Sequence, residues 1–124
     1  MISQSIAAYQ HIDATTANPV RLVLLLMDGA ISRLGQALRA LERHDHVSFA
    51  AAIGSANGIL GELAGSLDRD KGKEIAANLD AIYGFVLRRL TQALLTRSPR
   101  HIEEAATTLI TVRDGFQGAM DSWH

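Results

Sequence analysis

The chain has no cysteine. That excludes a disulfide framework, a thiol nucleophile and thiolate metal sites. It has no excess of either charge: the net charge is −1 over 124 residues. A protein that binds nucleic acid through its phosphates needs a basic face, so this balance argues against that class. Long apolar runs are also missing. Leu22 to Met27 is the longest, flanked by Arg21 and Asp28, far short of the ~18 residues that a membrane span requires. No membrane insertion is expected. The start, Met1 to Ser5, lacks a basic stretch followed by an apolar one, so no secretion signal is read there and the expected location is the cytoplasm.

Proline is scarce, and both prolines read as helix starts. Asn18-Pro19 and Ser98-Pro99 each look like an N-cap followed by a first helical residue. From Pro19, apolar residues recur in a three-four rhythm at Val20, Val23, Met27, Ala30, Leu34, Ala37 and Leu41. A break follows at 43–46, with Asp45 a candidate cap. The second helix, about 47–67, carries Phe49, Ile53, Ala56, Leu60, Leu63 and Leu67 on one stripe. Residues 68–73 read as a polar turn. The third helix, about 73–95, has two adjoining stripes. Ile75, Leu79, Ile82, Val86 and Ala93 form one; Tyr83, Leu87, Leu90 and Leu94 form the other. The fourth begins at Pro99 with Ile102, Ala106, Leu109, Val112, Phe116 and Met120, and frays near Trp123.

No stretch alternates with strand period. With 48% hydrophobic residues the chain can bury a core. The expectation is an all-α, antiparallel up-down four-helix bundle over 18–122. Residues 1–17 form a separate segment in which Ile2, Ile6 and Tyr9 recur at helical spacing. It is too short to be a stable helix alone, so it docks as a cap or stays a tail.

Chemistry-bearing patterns are absent. There is no Glu-x-x-His pair of the metal-carboxylate bundles, no glycine-rich phosphate loop and no nucleophile elbow. His11-Ile12-Asp13 and His44-Asp45-His46 fall in polar connections, where neighbours at i and i+2 do not converge. His101 lies in a first helical turn and lacks the setting of a phosphotransfer histidine. No catalytic residue, metal site or cofactor is expected, and the chain does not read as an enzyme.

The most unusual feature is a run of glycines inside the second helix: Gly54, Gly58, Gly61 and Gly65. Their spacing puts them on one stripe, about 100° round from the apolar one. Each glycine costs about 0.8–1 kcal/mol relative to alanine. Two readings remain open. The bare stripe packs closely on the third or fourth helix, or it is a shallow groove for a partner's helix. Leu22, Leu25 and Leu26 also widen the first helix's apolar side. Either that helix is buried on two sides, or the three form a patch covered by Ile6, Tyr9 and Ile12. Arg88 and Arg89 read as a solvated face with packed stems.

Several strings, in order, carry a resemblance. They are Ala8-Tyr9-Gln10; Thr16 to Pro19 and Leu22 to Ile31; Ile59 to Leu63 and Ser66-Leu67-Asp68; Gly72 to Leu79; Ile82-Tyr83; Arg88-Arg89-Leu90; and Leu109 with Arg113. Together, over 8–120, they resemble the flagellin export chaperones, the FliS family. Met27 stands where that family usually has tyrosine, and Phe116 lies near its usual tryptophan. The resemblance implies a cytoplasmic helical bundle that binds the disordered C-terminal part of flagellin. It would keep flagellin from polymerising early and help present it to a component of the flagellar type III export gate. The expected partner-binding residues are Ile6, Tyr9, Gln10, Ile12, Leu22, Leu25, Leu26, Gly54, Gly58, Gly61 and Gly65. In the family reading, Arg88 or Arg89 pairs with Asp28, Asp68 or the cargo. The alternative is a non-catalytic adaptor or signalling bundle that dimerises through the glycine face, so either a monomer or a homodimer is expected.

Overall fold

In the computed structural model, which describes Ala8 and residues 19–121, four helices follow one another. They are α1 (Pro19–Glu42), α2 (His46–Gly65), α3 (Arg69–Thr96) and α4 (Pro99–Asp121). Each packs on its sequence neighbours, and α4 closes back onto α1; the backbones of the diagonal pairs stay apart. The connections are two or three residues long, which makes neighbours antiparallel. The bundle is the expected one, with no strand among the described residues.

The turns form where local chemistry dictates. After α1, the His44 N–H donates to the Leu41 carbonyl and the Asp45 N–H to the Ala40 carbonyl, with His44 at φ 57°. This is a Schellman end with histidine in the left-handed position. Asp45 then caps α2, accepting from the Ser48 N–H at 3.1 Å. Hydrogen bonds from Ser48, its side chain first and its backbone N–H second, hold the Asp45 carboxyl below its ordinary value. Arg97 closes α3 at φ 54°, and Pro99 opens α4.

The core follows the apolar rhythm with an adjustment in each helix; in α4 Ile102, Ala105, Leu109 and Phe116 are buried, while the expected Ala106, Val112 and Met120 are only half-buried. In α2 every expected residue is buried, joined by Ala52. In α1 the buried stripe ends at Ala40, with Leu41 half-buried, because the helix is turning out into its cap. In α3 the core runs along the seam between the two expected stripes: Ala76, Leu79, Tyr83, Val86, Leu90 and Ala93 are buried. Ile75, Ile82 and Leu87 are only half-buried, and Leu94 is exposed. A helix wedged between two neighbours buries the line bisecting its apolar arc, which two equal stripes do not reveal.

Residues 68–73 are not an open turn. Asp68 caps α3, accepting from the Lys71 N–H at 3.1 Å, and the helix starts at Arg69. It breaks locally at Lys73 (φ 47°, ψ −119°), a conformation that a non-glycine residue rarely adopts.

Candidate partner-binding surface

The glycine stripe lies outside the bundle. Gly54, Gly58, Gly61 and Gly65 are exposed, and a Cβ built at any of them meets no atom within 4 Å. Close packing on another helix is therefore overturned. The physical reason is the position of α2 at a corner, where its neighbours α1 and α3 meet the core side. A glycine that does receive a neighbouring helix is Gly29 of α1, whose missing Cβ would sit 3.5 Å from Ile59 Cδ1.

Around the stripe the outer face of α2 stays plain. Val47, Ala50, Ala51 and Ser55 are exposed, Val47 at 83%. From His46 to Gly61 the helix has no Asp, Glu, Lys or Arg. By length and composition this helix is in fact apolar enough to cross a membrane, although only a third of the stretch is buried here. That corrects the expectation drawn from consecutive apolar runs: glycine and alanine raise the average without forming a run. Here the apolar stripe of α2 serves as one wall of the bundle core.

The leucines of α1 do not extend this face. Leu22 and Leu26 are half-buried and Leu25 is 59% exposed. Leu25 lines a groove of about 170 Å³ with Arg21, Leu24, Asp28 and, from α4, Gln117 and Met120. The helix is thus not buried on two sides, and Leu25 and the glycine stripe occupy separate surfaces. Ile6, Tyr9, Gln10 and Ile12 lie outside the described residues. Ala8 is described and fully buried. Its carbonyl accepts from the Asp68 N–H, and it rests on Gly72, where a Cβ would come within 2.7–2.8 Å of Ala8 and Ala76. Reading 68–73 as a turn missed Gly72 as a docking notch. The available signal was Gly72 and Ala76 four residues apart, a small pair that admits another backbone.

The ion pairs obey the ring topology. Asp28 receives Arg113 of α4 through Nε at 2.8 Å and Nη2 at 3.4 Å. That hydrogen bond, followed by the charge of Asp28, holds the Arg113 guanidinium above its ordinary value. Arg89 sits 3.1 Å from Glu104 as an ion pair without hydrogen-bond alignment, its guanidinium 4.9 Å from the Phe85 ring centre. Pairing of Arg88 or Arg89 with Asp28 is therefore corrected: Asp28 is held by Arg113 of α4, and Arg89 by Glu104, also of α4. Asp68, the other expected acid, is the α3 cap.

The described histidines form no metal-ligand group. His44 and His46 line a groove of about 640 Å³ at one end of the bundle with Leu38, Leu41, Glu42, Arg97, Pro99 and Glu103. No group of three or more possible metal ligands occurs among the described residues. His101 is half-buried, and its Nδ1 has no hydrogen-bond partner in the structure.

Comparison with known proteins agrees with this architecture. A crystal structure described as a flagellar chaperone from bacteria matches with a TM-score of 0.80, covering 95% of this chain and 96% of that one. At 20% identity, that match speaks to the fold. The family model for the flagellar protein FliS matches residues 2–123. The chain belongs to the FliS family. The flagellar secretion chaperone FliSB of Pseudomonas aeruginosa is 39% identical over 102 residues, covering 82% of this chain and 81% of that protein. The flagellar secretion chaperone FliS of Salmonella typhimurium is 34% identical over 120 residues, covering 93% and 89%. FliS relatives are named as chaperones, and the chain is accordingly a chaperone-family protein, not an enzyme.

Proposed function

We propose that this FliS-family chain is a cytosolic export chaperone for flagellin. It binds the disordered C-terminal region of flagellin, prevents premature polymerisation and helps deliver the subunit to an export-gate component of the flagellar secretion apparatus. The observation that carries this reading is the bare outer face of α2, uncharged from His46 to Gly61, in a chain of this family. A disordered segment that folds on binding must recover its ordering entropy from buried apolar area. A face of glycine and alanine lets a helix backbone approach closely along its length, the helix-in-groove mode. On this reading Gly54, Gly58, Gly61 and Gly65 form the floor, and Leu22, Leu25 and Leu26 offer a second contact. Residues 1–17 act as a tethered segment, separate from the bundle of 18–122, that competes with cargo through Ile6, Tyr9, Gln10 and Ile12. The docking of Ala8 on Gly72 supports a segment that returns to the bundle.

Calorimetry with the C-terminal segment of the flagellin from the same genome tests the proposal. The expected result is saturable one-to-one binding, a negative heat-capacity change and a gain of helix by circular dichroism. Gly58→Leu should fold normally, since the position faces open space, and lose affinity. No heat and no helix gain with the folded chain would sink the reading. A mass that rises with concentration would instead favour the dimerising adaptor.

A further inference from the structure

Beside the glycine stripe runs a groove of different chemistry. Arg33, Gln36, Arg39 and Arg43 form its α1 wall, and Ser48, Ala51, Ala52 and Ser55 its α2 wall, enclosing about 410 Å³. No acidic side chain lines it. All three arginines are exposed, and the protein leaves them largely unused. A guanidinium has five N–H donors. Arg33 gives one to the Gln36 side-chain oxygen at 3.2 Å. Arg43 reaches Asp45 at 3.6 Å, the two side chains 58% and 40% exposed. Arg39 lies along the helix, its Nη1 3.4 Å from where a Gly35 Cβ would be. Neither Arg33 nor Arg39 has an ion pair among the described residues. Because α2 carries no charge from His46 to Gly61, the arginines set the sign of the groove, offset only where Asp45 meets Arg43.

We propose that this groove docks an acidic helical segment of a protein partner, with its carboxylates on Arg33, Arg39 and Arg43 and its small side on Ala51 and Ser55. The planar guanidinium fork matches carboxylates two bonds at a time. Ten residues separate Arg33 from Arg43, about 15 Å along the helix axis, the reach of roughly three turns of a partner helix. The alanine and serine wall holds nothing long enough to keep that helix away. A nucleic acid fits less well: it draws on a long basic track, whereas this chain is net negative and one groove wall is neutral. The proposal stands whether or not flagellin is the cargo.

The test uses the full chain and a fluorescein-labelled, helix-forming peptide of glutamate and alanine, followed by fluorescence anisotropy at low and at physiological salt. A glutamine-for-glutamate peptide and a thymidine oligonucleotide of equal charge serve as comparisons. The acidic peptide should bind, more tightly at low salt. Arg33→Glu combined with Arg39→Glu should weaken it on the order of tenfold or more. Ala51→Glu, which keeps every arginine and places a carboxylate in the groove, should weaken it as well. Both variants should keep the wild-type circular dichroism spectrum, and the glutamine peptide should not bind. Three results would each overturn the proposal: no binding of the acidic peptide to the wild type at low salt, equal binding to both folded variants, or binding of the oligonucleotide in its place.

Discussion

Helices α2 and α4 stand at opposite corners of one bundle and present unlike outsides. The outer side of α4 is dressed in polar contacts. Arg100 pairs with Glu104 at 3.2 Å, Gln117 donates to Asp121 at 2.8 Å, and Thr108 and Thr111 bond back to their own helix at 2.9 Å. The outer side of α2 has a cap at its start and the Ser66 hydroxyl bonded to the Leu63 carbonyl just past its end, with Val47, then glycine, alanine and serine, and Glu62 near the end. Inside, α2 buries a line from Phe49 to Leu63 and α4 one from Ile102 to Phe116. The core therefore holds both helices, and the outward residues are free to differ. In α2 four of the outward positions are glycine, the reverse of what helix stability alone would select.

Several changes would break or sharpen this contrast. The largest effect should come from the inner face of α2. Leu60→Ala opens a void at a fully buried position and should destabilise by about 2–5 kcal/mol in urea denaturation. If it did not, the inner line would not be what holds α2. Glycines should then split by environment. Gly72→Ala drives a methyl into Ala8 and Ala76 and should cost about 1–3 kcal/mol or expel the N-terminal segment, seen as faster proteolysis before residue 19. Gly54→Ala and Gly58→Ala meet nothing and should each stabilise by about 0.8–1 kcal/mol in the same assay. A loss instead would mean that the stripe is covered.

The smallest effect concerns the α2 cap. Asp45→Ala should lower the thermal midpoint at neutral pH. The Asp45 carboxyl sits below its ordinary value when folded, so its contribution is present above about pH 4 and is lost as pH falls through the folded value. Melting curves of the variant and wild type should converge in acid. A gap that persists there would assign the effect to the side chain's bulk and not to its charge.

Much of the bundle was legible because helix periodicity and punctuation are local. Pro19, Asp45 and Pro99 mark starts through their own backbone chemistry, and the line from Phe49 to Leu67 could face only inward. The candidate surface was legible in part. The glycine spacing named the stripe, but one sequence could not say whether a bare face meets a neighbour or water. The leucines of α1 misled because an apolar run of six cannot be divided by eye into core and rim. Gly72 escaped notice because its role depends on Ala8, far away along the chain.

What the sequence determined by itself was the number of helices, the Asp45 cap, most of the buried lines and the family. Each of these rests on short-range spacing or on an ordered set of strings. Only the tertiary structure decided which helices touch. That choice put Asp28 on Arg113 instead of Arg88 or Arg89, turned the glycines outward and set three arginines of α1 against the neutral wall of α2. Asp28 and Arg113 are 85 residues apart. Their meeting follows from the closure of α4 onto α1, and no local pattern carries that information.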